Sequence, residues 1–308
     1  MAPAADRLAI TLGDPRGIGP EVTAAALDAT GIDAVVVGPS GLGILPDIDI
    51  GHWAGGGAAE AGRLAGAAIE RAATLALSGE VAGVVTAPID KAALAAAGYR
   101  SPGHTELLQS LADVPEVAMM MAAERTRLGG PLRVVLATTH LALADVPAAV
   151  TVDLLVGQAR LTARSLSRWW GVTEPKLALC ALNPHASDGG LFGHEEAAIL
   201  EPAVERLRGE GLDVTGPVPA DTVFVRALRG EFDAVVAPYH DVGMAAFKTA
   251  SFGAGVNVTL GLPFIRTSPD HGTALDIAGR GLADPDSMIE AIRLAVRLAA
   301  TRPIAGRS

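Results

Sequence analysis

The sequence predicts an α/β fold built on a mainly parallel sheet with helices covering both faces. Three observations lead there. Short β-branched runs recur along the chain, they are apolar almost without interruption, and Ala/Leu-rich segments of helical length separate them. A strand buried on both faces has no polar side to present, so it reads as an unbroken apolar run. Parallel neighbours need a long crossover, which a helix supplies. A chain of 308 residues is long enough for about two domains.

In order, the predicted strands are "RLAITLG", "DAVVVG", "VAGVVTAP", "LRVVLATTH", "KLALCALNPH", "FDAVVAPYH" and "GVNVTLG". The helices between them are "GRLAGAAIERAATLALSG", "TVDLLVGQARLTARSLSRWWG" and "HEEAAILEPAVERLRGEG", the last closing on Gly211. After the first strand, "GDPRGIGPE" is neither G-x-G-x-x-G nor a P-loop. Its glycines make a turn into a helix beginning near Pro20 and Glu21. "GHWAGGGAAEAG", residues 51 to 62, reads as a surface loop, with His52 and Trp53 as exposed loop residues. The tail "TRPIAGRS" reads as frayed.

Lys+Arg 24 against Asp+Glu 34 gives a formal charge of −10, which argues against nucleic acid or an anionic membrane as the main partner. A local basic cluster for a small anion is still compatible with it. The single cysteine, Cys180, rules out an internal disulfide and reads as a core residue. No secretory h-region and no apolar run of about 20 residues is present, so a cytoplasmic protein is expected.

Three strands run into a histidine within a few residues: His140, His185 and His240. In open α/β sheets the ligand crevice lies beyond the carboxyl ends of the strands. Three imidazoles from such ends suit a catalytic divalent metal with an open position. Taken singly, each reads rather as a hydrogen-bonded residue of a βα loop; it is the three at equivalent places that favour a site. Asp241, Asp188 and Asp221 accompany them and can fix a tautomer, ligate the metal or move protons. Asp188 also reads as a turn residue before Gly189, and Asp221 as the cap of the next helix. A second group joins His104 and Thr105 in "SPGHTELL" to Lys248, Asn257 and Arg266. Such donors suit a phosphate or carboxylate, and Lys248 and Arg266 both sit in apolar sequence surroundings.

"TLGDPRGIGPEV", "GHTELL", "ATTHLAL", "NPHASDGGLFGHEE", "PADTVF", "YHDVG", "GVNVTLGLPFIRTS" and "DHGTALDIAGRG" occur in this order. Together they resemble the 4-hydroxythreonine-4-phosphate dehydrogenase family from about residue 8 to about residue 285. Two of these loops also resemble those of isopropylmalate and isocitrate dehydrogenases. The resemblance implies an isopropylmalate dehydrogenase-like fold of two α/β/α subdomains, 1–100 plus 280–308 and 101–279, with the active site in a cleft between them. It implies one divalent metal (Zn, Co, Mg or Mn) on His140, His185 and His240. Substrate contacts fall to His104, Thr105, Lys248, Asn257 and Arg266, and catalytic roles to Lys248, Asp241 and Asp221. NAD or NADP would lie against His271, Gly272, Thr273, Ala274 and Asp276.

The implied reaction is oxidation and decarboxylation of 4-phosphohydroxy-L-threonine to 3-amino-2-oxopropyl phosphate, a step of pyridoxal phosphate biosynthesis. Lys248 serves as acid or as phosphate anchor, and both readings stay open. The implied assembly is a homodimer with shared sites, His240 crossing to the partner. The chain departs from the family pattern at Arg16, where a small residue is usual, and at Val242, where Gln is usual. Related substrates are 4-phosphoerythronate and cis-dihydrodiols of aromatic dicarboxylates. The same histidines would also serve a metal-dependent hydrolase or aldolase.

Overall fold

A computed structural model describes residues 7–301, so the tail read as frayed lies, beyond Thr301, outside the described residues. From the N-terminal side the elements are β1 (Leu8–Thr11), α1 (Gly19–Thr30), β2 (Ala34–Ser40), β3 (Ile48–His52), α2 (Ala58–Leu77), β4 (Gly83–Thr86), α3 (Lys91–Ala96) and α4 (His104–Ala112). Next come β5 (Ala118–Ala123), β6 (Leu132–Leu136), α5 (Val146–Ala149), α6 (Val152–Ser165), β7 (Lys176–Cys180), α7 (Glu201–Gly209) and β8 (Asp213–Val218). The chain continues through α8 (Ala220–Leu228), β9 (Ala234–Ala237), α9 (His240–Ser251), β10 (Val256–Leu260), β11 (Ile265–Pro269) and α10 (Asp286–Ala300). The expected mixed α/β architecture is present, and each quoted apolar run holds a strand.

Two compact units form: residues up to Val117 together with those from Val256 onward, and Ala118–Gly255. The grouping expected from sequence, 1–100 plus 280–308 against 101–279, is displaced. Residues 256–279 go with the first unit because β11 hydrogen-bonds to β4 in parallel register and β10 pairs with β11. Residues 101–117 follow because α4 packs on α2.

In the first unit the strand order is β3-β2-β1-β4-β11-β10, with only the β10–β11 pair antiparallel. Its core sets Ala9, Val37 and Val84 of one sheet face against Ala68, Ile69 and Ala72 of α2 and Leu107 and Leu108 of α4. The second unit runs β5-β6-β9-β7-β8, with only β5–β6 antiparallel. There Leu132, Val134 and Leu136 of β6 meet Val235 and Ala237 of β9 and Phe247 of α9.

Several local expectations are corrected. "GHWAGGGAAEAG" is not one loop: Gly51 and His52 end edge strand β3, and α2 begins at Ala58. Polar β3 pairs only with β2, where an edge strand needs no double apolar face. Strands β5, β8 and β11 were not read either. Helix α1 starts at Gly19 with Pro20 in its first turn, as "GDPRGIGPE" suggested. Cys180 is a buried free thiol, and burial pushes its pKa up to about 12, so it is inert core.

Candidate active site

In the second unit the three histidines leave neighbouring strands by different routes. His140 follows β6 by four residues, and β6 and β9 are adjacent. Thr138 Oγ1 donates to the Pro238 carbonyl at 2.8 Å, tying the two strand ends together. His240 begins α9 directly after β9. The His140 and His240 rings therefore meet, with centroids 5.6 Å apart and planes tilted by 41°. Two imidazoles on one tetrahedral ion place their ring centres about 5 Å apart, so this pair fits a shared divalent metal.

His240 Nδ1 lies 2.7 Å from Asp241 Oδ1. A carboxylate only accepts, so Nδ1 carries the proton and Nε2 keeps its lone pair for a metal. His185 is exposed in a turn, with its ring 6.5 Å from that of Phe192. The structure does not gather it with the other two. Among the described residues, no three His, Cys, Asp or Glu side chains come close enough to hold a metal ion.

The carboxylates and the lysine need correction. Asp221 is exposed inside the first turn of α8, whose capping position is Pro219, so it is not the cap. Asp188 has a left-handed backbone and precedes left-handed Gly189, in keeping with its turn reading. Lys248 is exposed on α9 and not in apolar surroundings. It occupies an outward position of a helix whose Gly243, Phe247, Ala250 and Ser251 face inward.

Arg266 does sit in apolar surroundings, and the first unit is built around it. The residue is 2% exposed. Its Nη1 donates to Thr259 Oγ1 at 3.0 Å and its Nη2 to Thr86 Oγ1 at 2.7 Å. The strand registers place these three side chains on one sheet face: Arg266 is level with Val84, two residues from Thr86, and Asn257 opposes Ser268 on β11. Arg266 Nε, Asn257 Oδ1 and His104 Nε2 are buried without a hydrogen-bond partner.

Among the described residues, no carboxylate hydrogen-bonds to Arg266. Burial pushes its pKa down to about 10, with Glu106 opposing, and the guanidinium stays charged at neutral pH. A buried cation paired only with hydroxyls is a costly arrangement that an anion relieves. His104 opens α4, where Gly103 offers no side-chain cap, so the free N–H groups of the helix start add to the same field. Burial, then the charge on Arg266, holds the His104 imidazole well below its ordinary pKa and therefore neutral. Thr105 is half-buried in the same turn.

The "HGTALD" loop packs on the loop after β1: Ile18 N donates to the Thr273 carbonyl at 2.9 Å. A Cβ on Gly17 would sit 2.8 Å from that carbonyl oxygen, so only glycine permits the approach. His271 Nδ1 lies 3.0 Å from the Gly272 carbonyl, and its Nε2 is buried and unpaired. Ala274 is left-handed, while Gly272 and Asp276 are exposed. Beside this loop a cavity of about 300 Å³ is lined by Arg16, Gly17, Glu21, Leu42, Ala278 and Gly279. The Oε1 of Glu21 is buried without a partner. A cavity whose lining carries an unpaired acceptor is a candidate ligand site.

Four contributors were missed from sequence. Thr86 and Thr259, which hold Arg266, read only as strand residues. Asp14 and Asp90 hold the unusual Arg16: its Nη2 is 2.7 Å from Asp14 Oδ2 and 2.8 Å from Asp90 Oδ2. The only sequence signal was hydroxyls or carboxylates at strand ends.

Comparison with known proteins gives a consistent picture. Residues 22–295 match the family described as pyridoxal phosphate biosynthetic protein PdxA. The chain is 44% identical over 328 residues to 4-hydroxythreonine-4-phosphate dehydrogenase of Aromatoleum aromaticum, covering 97% of this chain and 98% of that one. A crystal structure of the Klebsiella pneumoniae 4-hydroxythreonine-4-phosphate dehydrogenase superposes with a TM-score of 0.83 at 38% identity, covering 95% of this chain and 99% of that one. A terephthalate 1,2-cis-dihydrodiol dehydrogenase from Burkholderia xenovorans gives 0.64 at 30% identity, covering 94% and 97%. With a family match over most of its length and relatives this similar end to end, the chain belongs to the PdxA family of pyridoxal phosphate biosynthetic proteins.

Proposed function

We propose that the protein oxidises and decarboxylates 4-phosphohydroxy-L-threonine with NAD as hydride acceptor, working in the cytoplasm as a homodimer. The observation that carries this is Arg266, a buried guanidinium with no carboxylate partner and with its Nε unpaired. It favours a phosphorylated substrate over an aromatic dihydrodiol, although 4-phosphoerythronate would suit it equally.

The nicotinamide dinucleotide, NAD or NADP, supplies the redox chemistry. His140, His240 and His185 would hold the divalent ion (Zn, Co, Mg or Mn), which would supply Lewis acidity when bound. The chain's own residues bind and orient. Arg266 Nε–H, His104 Nε2–H and the Asn257 amide, turned to present its Nδ2, donate to the phosphate. Asp241 holds the His240 tautomer. Lys248 and Asp221, both exposed on helices of the second unit, are assigned proton movement.

In the reaction the hydroxyl loses its proton and its carbon loses a hydride to NAD+. The new ketone lies β to the carboxylate, which leaves as CO2. Protonation of the remaining carbon gives the amino-ketone phosphate. His271, Gly272, Thr273, Ala274 and Asp276 are assigned to the dinucleotide. Support for the homodimer includes Leu141, Leu143, Leu191 and Phe192, exposed apolar residues on the loops that carry His140 and His185.

The test is NADH formation with divalent metal and three substrates: 4-phosphohydroxythreonine, 4-phosphoerythronate and an aromatic cis-dihydrodiol carboxylate. Turnover only of the dihydrodiol would overturn the phosphate assignment.

A further inference from the structure

The cavity of about 300 Å³ beside the "HGTALD" loop lies wholly within the first unit. Its wall is built by the turn after β1, the loop after β2 and the loop before α10. Two ionisable side chains line it, Arg16 and Glu21. An arginine at such a wall commonly anchors the 2′-phosphate of NADP, and a carboxylate commonly accepts from the 2′-hydroxyl of NAD. The two residues therefore point to opposite cofactors, and their partners decide between them.

The Arg16 guanidinium is already occupied. Its Nε donates to Asp14 Oδ1 at 3.0 Å and its Nη2 to Asp14 Oδ2 at 2.7 Å. The same Nη2 donates to Asp90 Oδ2 at 2.8 Å. Asp14 is 1% exposed, so it depends on this cation and has no water to replace it. Glu21, in the first turn of α1, is in the opposite condition: its Oε1 is buried and has no donor. A buried acceptor left unpaired costs free energy that a ligand hydroxyl recovers. Asp14, Asp90 and Glu21 together set three carboxylates against one guanidinium on or directly behind this wall. Arg280, next in the chain to Gly279, is exposed and does not line the cavity. A phosphate placed here would meet like charge, which costs binding, whereas the adjacent hydroxyls of a ribose offer two donors to one carboxylate.

We infer that Glu21 selects NAD over NADP: its carboxylate accepts from the 2′-hydroxyl of the adenosine ribose, and Arg16, held by two aspartates, gives a 2′-phosphate no counter-charge. This rests on the reading of the protein as a nicotinamide-dependent dehydrogenase.

The experiment titrates NAD, NADP and 2′-deoxy-NAD calorimetrically into the full-length protein and into Glu21→Gln, without substrate. Wild type should bind NADP and 2′-deoxy-NAD each about ten- to hundredfold more weakly than NAD, the loss of one hydrogen bond to a charged group. Glu21→Gln should narrow both gaps by about fivefold or more, because the amide is a weaker acceptor and carries no charge. A merely structural role would weaken all three ligands in proportion and leave their ratios as they were. Unchanged ratios in a folded Glu21→Gln, or a wild type that binds NADP as tightly as NAD, would overturn the inference. If Glu21→Gln does not fold, wild type alone decides, since 2′-deoxy-NAD binding as tightly as NAD overturns it equally. Should neither NAD nor NADP bind, the dehydrogenase reading fails first and this inference falls with it.

Discussion

The imidazoles of His140 and His240 lie 5.6 Å apart, although each closes a different strand of the second unit. Parallel pairing of β6 with β9 brings them together, and the Thr138 bond to Pro238 secures the two ends. A pair of imidazoles at this spacing is a candidate anchor for a metal ion.

Removal of metal should therefore abolish turnover. Chelator-treated protein is expected to show background NADH formation, restored by Zn²⁺ or Co²⁺. His140→Ala and His240→Ala should each lower kcat by about a hundredfold or more, as expected when several kcal/mol of Lewis-acid stabilisation is lost. Full turnover of metal-free enzyme would rule this out.

Arg266→Ala should raise KM for a phosphorylated substrate about ten- to hundredfold, the loss of one charge-assisted contact of about 1.5 to 3 kcal/mol. Arg266→Lys should not rescue it, because a point charge cannot replace the fork that also spans Thr86 and Thr259. Inorganic phosphate, titrated calorimetrically, should bind wild type and not Arg266→Ala. Equal weakening of phosphorylated and non-phosphorylated substrates would contradict the assignment.

His104 gives stability a pH dependence of known sign. Its folded pKa is depressed by burial and by Arg266. As pH falls below about 6.5, the unfolded chain takes up a proton that the folded chain refuses, so stability drops. Relative to wild type, His104→Gln should gain about 1 kcal/mol between pH 6.5 and 5.5. Urea midpoints at the two pH values measure this, and a constant difference would show that His104 does not titrate in this way.

Arg16→Ala should cost about 3 kcal/mol of unfolding free energy, because Asp14, 1% exposed, loses its cation. The Arg16 contact with Asp90, which caps α3 through Ala92 N, disappears at the same time. A denaturant midpoint equal to wild type would mean that the clamp is idle.

Pairwise refolding of His140→Ala, His185→Ala and His240→Ala, each inactive alone, tests the shared site. If one imidazole comes from the partner, two of the three mixtures should recover about a quarter of the sites, since half the dimers are mixed and each holds one intact site. The mixture that stays dead names the two histidines supplied by one chain. Three dead mixtures, with mixed dimers shown to form, would place the whole site within a subunit.

The amino-acid sequence by itself determined the α/β class, the strand-end positions of the three histidines and the family. These depend on neighbours in the chain: an apolar run signals a doubly covered strand, and long ordered motifs survive without any knowledge of contacts. The edge strands β3 and β8 escaped notice because a strand with only one neighbour need not be apolar throughout. Only the tertiary structure separated Arg266 from Lys248, two cations that read alike in sequence. Arg266 lies on an inner strand whose sheet neighbours close over it, reaching Thr86 across 180 positions. Lys248 lies on a helix, where a rotation of about 100° per residue decides between core and solvent. Which imidazoles meet was likewise decided by strand order, because β6 pairs with β9 and the distance between His140 and His240 follows from that pairing.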